Sequence, residues 1–415
     1  MGLLRQAVVA GPAYVELDLE IAKKIPRFGE TKRVIAHTSL DEPLGNIDAI
    51  FEEASKANAD VVKFTWPTPT LEAAWPLLAA VTKKRNLPVV GMGIGRAGLT
   101  FSLLGRKFGS PWIYAALERG IEAYEDQATV WDLEERYSWN EIGSGTRFVG
   151  LVGFGASDST TVRPLNAGFK SLDLNTRCLP LEIASFDKLA QMLEILRINA
   201  LVISPAFATR MLPFAQHVEP AAQESGFADL LLKQSDGWHA YNLISRSTIS
   251  ATEQALGKTK EEDHPLDRRN VLLVGANGIA QAIAYGIHKG KGIISVTSPH
   301  DKQAQKLAKI FDVRHVPFAN LYDTLADVVI ITDPSIVLGH RKTELNPSYL
   351  RPSMTVADLS RLPHDTDFLS EGRTRGSKTI DPRQVFIEHA SAQFKAVTGN
   401  DLPEAVRQET QQLEP

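Results

Sequence analysis

The sequence is poor in cysteine, in long apolar runs and in net charge, and each shortage excludes a class of protein. Its single cysteine, Cys178, excludes an internal disulfide and a cysteine-based zinc site, which fits a reducing cytosol. No stretch reaches the roughly 18 apolar residues that a transmembrane helix needs. The start, MGLLRQAVVAG, lacks the layout of a signal peptide, and it lacks the serine or threonine of a myristoylation motif. We therefore expect a soluble, cytoplasmic protein.

Charge and histidine spacing exclude two further classes. Lys and Arg total 45 against 49 Asp and Glu, a net charge of −4, which gives no general attraction to nucleic acid or anionic membranes. The ten histidines are scattered, and none pairs with another four residues on beside a glutamate, so we expect no metal site. The 43% of hydrophobic residues is ample for packed cores, and 415 residues predict two or three domains.

Short apolar runs alternate with amphipathic stretches over residues 1–136. The runs predict five strands, at residues 13–20, 33–37, 59–64, 87–93 and 110–117. Strands that alternate with helices predict a parallel sheet covered by helices. Residues 137–147 are polar and contain glycine, which predicts a linker. Two more strand–helix series follow, at 147–256 and 268–380.

Lys63 stands in the middle of a predicted strand, where lysine is disfavoured. One interpretation is a strand-end lysine whose amine reaches solvent. The other is a buried amine that forms an imine with a carbonyl substrate. His37 ends the preceding strand, and neighbouring parallel strands lie about 4.8 Å apart. We therefore expect His37 and Lys63 to reach one substrate at the C-terminal rim of the sheet.

Several segments resemble type I 3-dehydroquinate dehydratase: HTSLDEP (37–43), DVVK (60–63), GMG (91–93), KFGS (107–110) and DQATV (126–130). The resemblance implies a (β/α)8 barrel, of the TIM type, that is only partial here, because the chain starts near the family's fourth strand. It implies that Lys63 forms a Schiff base with 3-dehydroquinate and that His37 is the acid/base. It also implies substrate contacts from Gln127 and from Ser102, which replaces a family arginine. No cofactor is implied for this reaction.

The segment GANGIA (275–280) follows an apolar strand and opens a helix, as in dinucleotide-binding proteins. Asn277 replaces the second glycine of the fingerprint, which normally allows close approach of the pyrophosphate. Gly275 and Gly278 remain. A strand–turn–helix without a ligand is the alternative interpretation.

The rest of the chain resembles shikimate dehydrogenase, through GLVG (150–153), STT (159–161), NAGF (166–169), VISP (202–205), VGANG (274–278) and ADVVI (326–330). The resemblance implies a substrate domain at 147–256, completed by a C-terminal helix at 384–408, and a Rossmann domain for NADP at 268–380. It implies substrate contacts from Ser159, Thr161 and Asn242. Residues at other family positions differ, and these are Phe207 for lysine, Ile244 for aspartate, Pro299 for the NADP arginine and His389 for glutamine.

These features predict a fused shikimate-pathway protein that dehydrates 3-dehydroquinate and acts on small molecules, without nucleic acid or membrane partners. We expect shikimate oxidation with NADP to be absent or very slow. Two alternatives stay open, a non-catalytic paralogue that binds a metabolite or nucleotide and regulates, and an oxidoreductase for another substrate. The open sheet of a partial barrel also favours a homo-oligomer.

Overall fold

The computed structural model describes residues 2–27, 29–124, 126–154, 160–260, 263–336 and 345–412. Its helices are α1 (Gly2–Val9), α2 (Leu19–Ala22), α3 (Ile47–Lys56), α4 (Leu71–Thr82), α5 (Gly98–Lys107), α6 (Val162–Ser171), α7 (Leu189–Leu196), α8 (Ala208–Met211), α9 (Pro220–Ser225), α10 (Leu243–Ala255), α11 (Gly278–Lys289), α12 (Asp301–Phe311), α13 (Asp367–Thr374), α14 (Pro382–Thr398) and α15 (Glu404–Gln411).

The strands are β1 (Tyr14–Asp18), β2 (Lys32–Thr38), β3 (Val61–Pro67), β4 (Val89–Ile94), β5 (Arg147–Val152), β6 (Thr176–Leu181), β7 (Ala200–Ile203), β8 (His217–Val218), β9 (Leu230–Gln234), β10 (Gly237–Tyr241), β11 (Asn270–Val274), β12 (Ile293–Thr297), β13 (Arg314–His315), β14 (Val328–Ile331), β15 (Thr355–Asp358) and β16 (Lys378–Thr379). The predicted α/β class with parallel sheets is confirmed. Among the described helices, none is both long and apolar enough to cross a membrane.

The chain divides into two compact units. Unit one comprises Met1–Val162 and Asp173–Ile198, and unit two comprises Arg163–Leu172 and Asn199–Pro415. This division runs through the substrate domain that the sequence predicts at 147–256. The boundaries 1–136, 147–256 and 268–380 therefore stay a prediction.

Unit one contains an open parallel sheet in the order β1-β2-β3-β4. The connecting helices begin at side-chain caps, since Asn46 accepts from the Ala49 N–H for α3 and Thr70 accepts from the Ala73 N–H for α4. Within the described residues these four strands form an open sheet and do not close into a barrel.

The two faces of this sheet carry different side chains, because successive residues of a strand point to opposite sides. On β3 the side chains of Val62, Phe64 and Trp66 form one fully buried row. Lys63 and Thr65 belong to the other face. That face has its own small apolar cluster, described below with the candidate site.

Two predicted segments of unit one differ from the structure. The fifth strand, at 110–117, is absent as a strand, and only an isolated bridge joins Ala116 to Thr129. The predicted linker at 137–147 is instead packed, because Tyr137 and Ile142 are buried and the guanidinium of Arg177 donates to the Tyr137 carbonyl at 3.0 Å. Beyond it, β5 and β6 form a parallel pair in unit one.

Unit two contains two groups of strands. In the first, β9 is antiparallel to β7 and to β10, and the short β8 is parallel to β10. The second is a six-stranded parallel sheet in the order β13-β12-β11-β14-β15-β16. Counted from its own first strand this order is 3-2-1-4-5-6, which is the dinucleotide-binding arrangement. The predicted Rossmann fold is therefore confirmed.

The C-terminal segment forms two helices rather than the single helix predicted at 384–408. Helix α14 ends at Thr398, and the next residue, Gly399, has a φ of +76° in the left-handed region that favours glycine. Pro403 then precedes α15. Helix α14 packs against α10 within unit two.

Candidate functional site

Lys63 lies on β3 with its side chain only 9% exposed. Its Nζ is 2.7 Å from Oε1 of Glu16, which stands on β1. The ring of Tyr114 lies under the ammonium, 4.0 Å from Nζ to the ring centroid. The Tyr114 hydroxyl donates to the other Glu16 oxygen at 2.8 Å. The amine is therefore held between a carboxylate and an aromatic ring.

An apolar cluster surrounds this amine on the same face of the sheet. Val34, Val61 and Val90 are buried there, and Trp112 and Tyr114 pack against them. Burial raises the pKa of the Tyr114 hydroxyl well above its usual range, so this hydroxyl stays protonated and donates. Sequence reasoning missed Glu16 and Tyr114, because both are far from Lys63 in the chain and only the fold brings them together.

His37 does not lie beside Lys63, contrary to the prediction. In the register of β2 and β3, Ala36 is paired with Lys63, and His37 is paired with Phe64. Residues paired across neighbouring strands share a face, so His37 belongs to the face of Phe64 and not to that of Lys63. Thr38 and Thr65, which are paired with each other, share the Lys63 face. The strand was predicted correctly, but the face of the sheet to which His37 belongs was not.

The other predicted contacts of unit one are engaged locally. Ser102 is buried on α5, and its hydroxyl donates to the Gly98 carbonyl of the preceding turn at 2.9 Å. Gln127 lies in the loop after α5, where its side-chain oxygen accepts from the Ala123 N–H at 2.8 Å. A role of either residue in substrate binding stays a prediction.

The residues at the shikimate dehydrogenase positions lie in both units, Asn242, Ile244 and Phe207 in unit two and Thr161 in unit one. Asn242 is fully buried and caps α10, since its side-chain oxygen accepts from the Ser245 N–H at 3.2 Å and its NH₂ donates to the Ser225 hydroxyl at 3.1 Å. Ile244 is buried in the first turn of α10. Phe207 precedes α8, and the guanidinium of Arg210 stacks on its ring. Thr161 directly precedes α6, whereas Ser159 lies outside the described residues.

A buried polar cluster, which sequence reasoning missed, joins α10 to α14. The carboxylate of Asp229 accepts from the backbone N–H groups of Leu243 and Ile244, at 2.9 and 2.7 Å. His389 Nε2 lies 3.0 Å from the same carboxylate, and the Gln393 amide nitrogen lies 3.2 Å from His389 Nε2. His389, predicted only as a replaced glutamine, is therefore part of a hydrogen-bonded network that starts at a helix N-terminus.

The glycine turn of unit two has the backbone that its sequence requires. Gly275 adopts φ +128°, and a Cβ there would lie 2.2 Å from the Thr332 hydroxyl. A Cβ on Gly278 would lie 2.9 Å from the Phe227 ring. Asn277 caps α11, since its side-chain oxygen accepts from the Ala280 N–H at 3.0 Å and its NH₂ donates to the Thr332 carbonyl at 2.6 Å. Both glycines are thus required by packing or backbone geometry, whether or not a ligand binds.

The residues around this turn suit the pyrophosphate of a dinucleotide but not a 2′-phosphate. Two buried hydroxyls, of Thr297 and Thr332, have no partner within the described residues, and both belong to the strand ends that flank Gly275. The helix N-terminus suits a pyrophosphate. The turn after β12, however, contains Pro299 where the NADP arginine was sought, and the next residue, His300, uses its backbone N–H to bond Ser298. The residues fit a pyrophosphate but supply no guanidinium for a 2′-phosphate.

Comparisons with known proteins agree with the two halves of the chain. Residues 1–144 match the family model for type I 3-dehydroquinase. The chain is 24% identical over 421 residues to the chloroplastic bifunctional 3-dehydroquinate dehydratase/shikimate dehydrogenase of Arabidopsis thaliana, covering 97% of this chain and 70% of that protein. A shikimate dehydrogenase (NADP(+)) of Pelobacter propionicus is 26% identical over 270 residues, 62% of this chain and 93% of that protein.

The fold of the second part also has solved counterparts. The crystal structure of shikimate dehydrogenase from Aquifex aeolicus superposes with a TM-score of 0.57 at 19% identity, covering 66% of this chain and 100% of that one. At this level of identity the likeness concerns the fold.

Proposed function

We infer that this chain, which combines a type I 3-dehydroquinase part with a shikimate dehydrogenase-like part, is a shikimate-pathway protein. The match of the first 144 residues supports a lyase, and the similarity to a bifunctional dehydratase/dehydrogenase along 97% of the chain supports the fusion. We propose that the lyase reaction is the dehydration of 3-dehydroquinate at Lys63, and that the protein acts in the cytoplasm.

The observation that carries this proposal is the nearly buried amine of Lys63, which touches a carboxylate. Attack of the neutral amine on a ketone carbon gives, after loss of water, a protonated imine. Glu16, at 2.7 Å, is in position to accept the proton that the ammonium must lose before attack. The buried hydroxyl of Thr65, without a partner in the described part of the chain, belongs to the same face and offers a hydrogen bond to substrate.

The imine then acts as an electron sink. Its positive charge draws electrons from the neighbouring C–H bond, the proton leaves to a base, and the hydroxyl on the next carbon departs with a proton as water. Hydrolysis of the product imine returns the Lys63 amine. His37, on the opposite face of the sheet, does not fit the acid/base role for which it was predicted. Glu16 and Tyr114 are the described titratable groups in contact with the amine.

A second candidate function is favoured by two observations. His37 faces away from Lys63, and the Ser102 hydroxyl is bonded within its own helix where the resemblance calls for an arginine. A site with the amine but without these groups suits a protein that captures a ketone ligand and regulates rather than turning it over.

For unit two we propose binding of a nicotinamide dinucleotide at the turn of Gly275, Asn277 and Gly278. A bound nicotinamide dinucleotide in its oxidised form would supply a hydride acceptor. The backbone N–H groups at the start of α11 would hold the pyrophosphate. Phe207 and Ile244 cannot move protons, so we expect the oxidation of shikimate with NADP to be absent or very slow. A rate close to that of an ordinary shikimate dehydrogenase would contradict this expectation.

A homo-oligomer also stays a prediction. Strands β1 and β4 each pair on one side only within the described residues, and an unpaired strand edge favours association.

The test is the reaction of the full chain with 3-dehydroquinate, followed by the ultraviolet absorbance of the conjugated product and, in parallel, by calorimetric binding. Lys63→Arg keeps the charge but cannot form the imine, and Lys83→Arg, at an exposed lysine of the same unit, is the control. Turnover that only Lys63→Arg abolishes supports the lyase. Binding without turnover, lost in the same variant, supports the regulatory protein. Neither turnover nor binding would contradict both proposals.

A further inference from the structure

Three side chains of metal-ligand type meet at one edge of unit two. His217, Asp236 and His239 each offer one ligand atom, and these atoms all lie within 4.8 Å of one another. From the sequence we expect no metal site, because no two histidines have the four-residue spacing of metal ligands on one helix. That spacing is uninformative here because the side chains come from two strands and the turn between β9 and β10.

The sheet register fixes the two imidazoles side by side. His217 on β8 is paired with His239 on β10, so the rings belong to the same face. The rings stack with centroids 4.5 Å apart and planes 25° apart. Strand β8 is an edge strand with two residues only, and its described pairing is with β10. The pairing of the two strands therefore places the two rings next to each other.

Both rings direct the same nitrogen at one carboxylate. His239 Nε2 lies 2.8 Å from Oδ1 of Asp236, and His217 Nε2 lies 3.3 Å from Oδ2 and 3.2 Å from the backbone carbonyl oxygen of Asp236, its hydrogen-bond partner. Two ligands bound to zinc at about 2.0–2.1 Å are separated by roughly 3.3 Å when the site is tetrahedral. The separation of His217 Nε2 from the carboxylate matches that value, that of His239 Nε2 is about 0.5 Å shorter, and all three ligand atoms lie within 4.8 Å of one another.

We propose that His217, Asp236 and His239 form a binding site for Zn²⁺ or a similar divalent transition-metal ion. Two imidazoles and one carboxylate are ligands that zinc accepts. Binding replaces the two N–H···O hydrogen bonds by bonds from both Nε2 atoms, with any ring proton moved to Nδ1. The ion ties the edge strand β8 to the β9–β10 turn. About half of the His217 side chain and of the Asp236 side chain is exposed, which leaves the ion open to solvent and to a water ligand.

The test uses the full chain with any affinity tag removed and metal stripped by a chelator. Co²⁺ is titrated while its visible absorption is recorded, and Zn²⁺ is then used to displace it. We expect one equivalent to give the intense bands of a four-coordinate site. His217→Asn and His239→Asn should each weaken Co²⁺ and Zn²⁺ binding at least tenfold. His264→Asn, at an exposed histidine outside the cluster, should leave binding unchanged.

Thermal unfolding without metal shows whether each variant is folded, and Asp236→Asn provides a third variant that leaves both rings in place. Zn²⁺ should raise the melting temperature of the unmodified chain and of His264→Asn, and should not raise that of the other variants. The proposal is overturned if Co²⁺ gives no such bands, or if the cluster variants bind as tightly as the unmodified chain.

Discussion

Lys63 and Glu16 form an ion pair whose partners differ in exposure, at 9% and 40% of their side chains. Removing the charge of Glu16 leaves the nearly buried ammonium of Lys63 without a carboxylate partner. Of the contacts described for it, the ring of Tyr114 remains, which stabilises a cation only weakly. We expect Glu16→Gln to lower the free energy of unfolding by about 1–2 kcal/mol, because an uncompensated buried charge is costly. Urea unfolding of the full chain measures this change.

Glu20→Gln is the matched control for that variant. Glu20 pairs with Lys23, and both side chains are exposed, so solvent replaces the lost interaction. We expect the control to leave the unfolding transition almost unchanged. Equal effects of the two substitutions would mean that burial of Lys63 does not matter to the pair.

The residue scale also shows what the sequence could and could not establish. Lysine inside an apolar strand correctly marks Lys63 as unusual. Placing His37 correctly requires knowing which residue of β2 is paired with which residue of β3, because a shift of one residue moves a side chain to the other face of the sheet. Apolar residues on both faces of a buried parallel strand hide that pairing. Glu16 and Tyr114 carry no local signal at all, since their contact with Lys63 depends on the fold.

Among the elements, the start of α10 depends on a buried acceptor from another segment. Asp229 is 2% exposed, and it accepts two backbone N–H groups of α10 while lying 3.0 Å from His389. Asp229→Asn replaces one carboxylate oxygen by an NH₂ group, which would then face a backbone N–H of α10, so that two donors meet. We expect a loss of about 2–3 kcal/mol in the free energy of unfolding, measured in urea.

Asp381→Asn tests whether that loss arises from burial rather than from helix capping in general. Asp381 caps α14 at an exposed position and accepts from the Arg383 N–H at 2.9 Å. Asparagine caps a helix about as well as aspartate, so this variant should unfold like the unmodified chain. A loss at Asp229 no larger than that at Asp381 would refute the role given to the buried carboxylate.

The prediction of strands succeeded where an apolar run in the sequence also pairs with a neighbouring strand in the structure. Strands β1 to β4 lie within or close to the segments predicted from apolar runs. The segment 110–117 failed because Trp112 and Tyr114 pack over the cluster of Val34, Val61 and Val90 rather than joining the backbone ladder. An alternating apolar pattern reports burial of alternate side chains, which packing without strand pairing also produces.

At the scale of the whole molecule, two divisions of the chain compete. The resemblance predicts that the dehydrogenase-like part starts at residue 147, whereas the contact-based division assigns β5 and β6 to unit one. The shikimate dehydrogenase of Pelobacter propionicus aligns over 93% of its own length with only 62% of this chain. We therefore expect a fragment of residues 147–412 to fold by itself.

Circular dichroism and thermal melting of that fragment provide the test. The predicted result is a helical and strand-rich spectrum with a cooperative transition. A disordered fragment, beside a folded fragment of residues 199–412, would instead support the division that the structure gives. The sequence could not establish which part folds by itself. Motifs show which family a segment resembles, whereas the contacts between segments determine which of them unfold together.

The central claim is that the Lys63 amine captures the ketone of 3-dehydroquinate. The most direct measurement treats the full chain with this compound and sodium borohydride, which adds hydride to the imine carbon and fixes the adduct as a secondary amine. Lys107 is the internal comparison, since it is also buried and burial lowers its pKa, but its amine donates to the Thr146 carbonyl. Peptide mass mapping should find the adduct on Lys63 and not on Lys107. No adduct, or an adduct on Lys107 alone, would contradict the account.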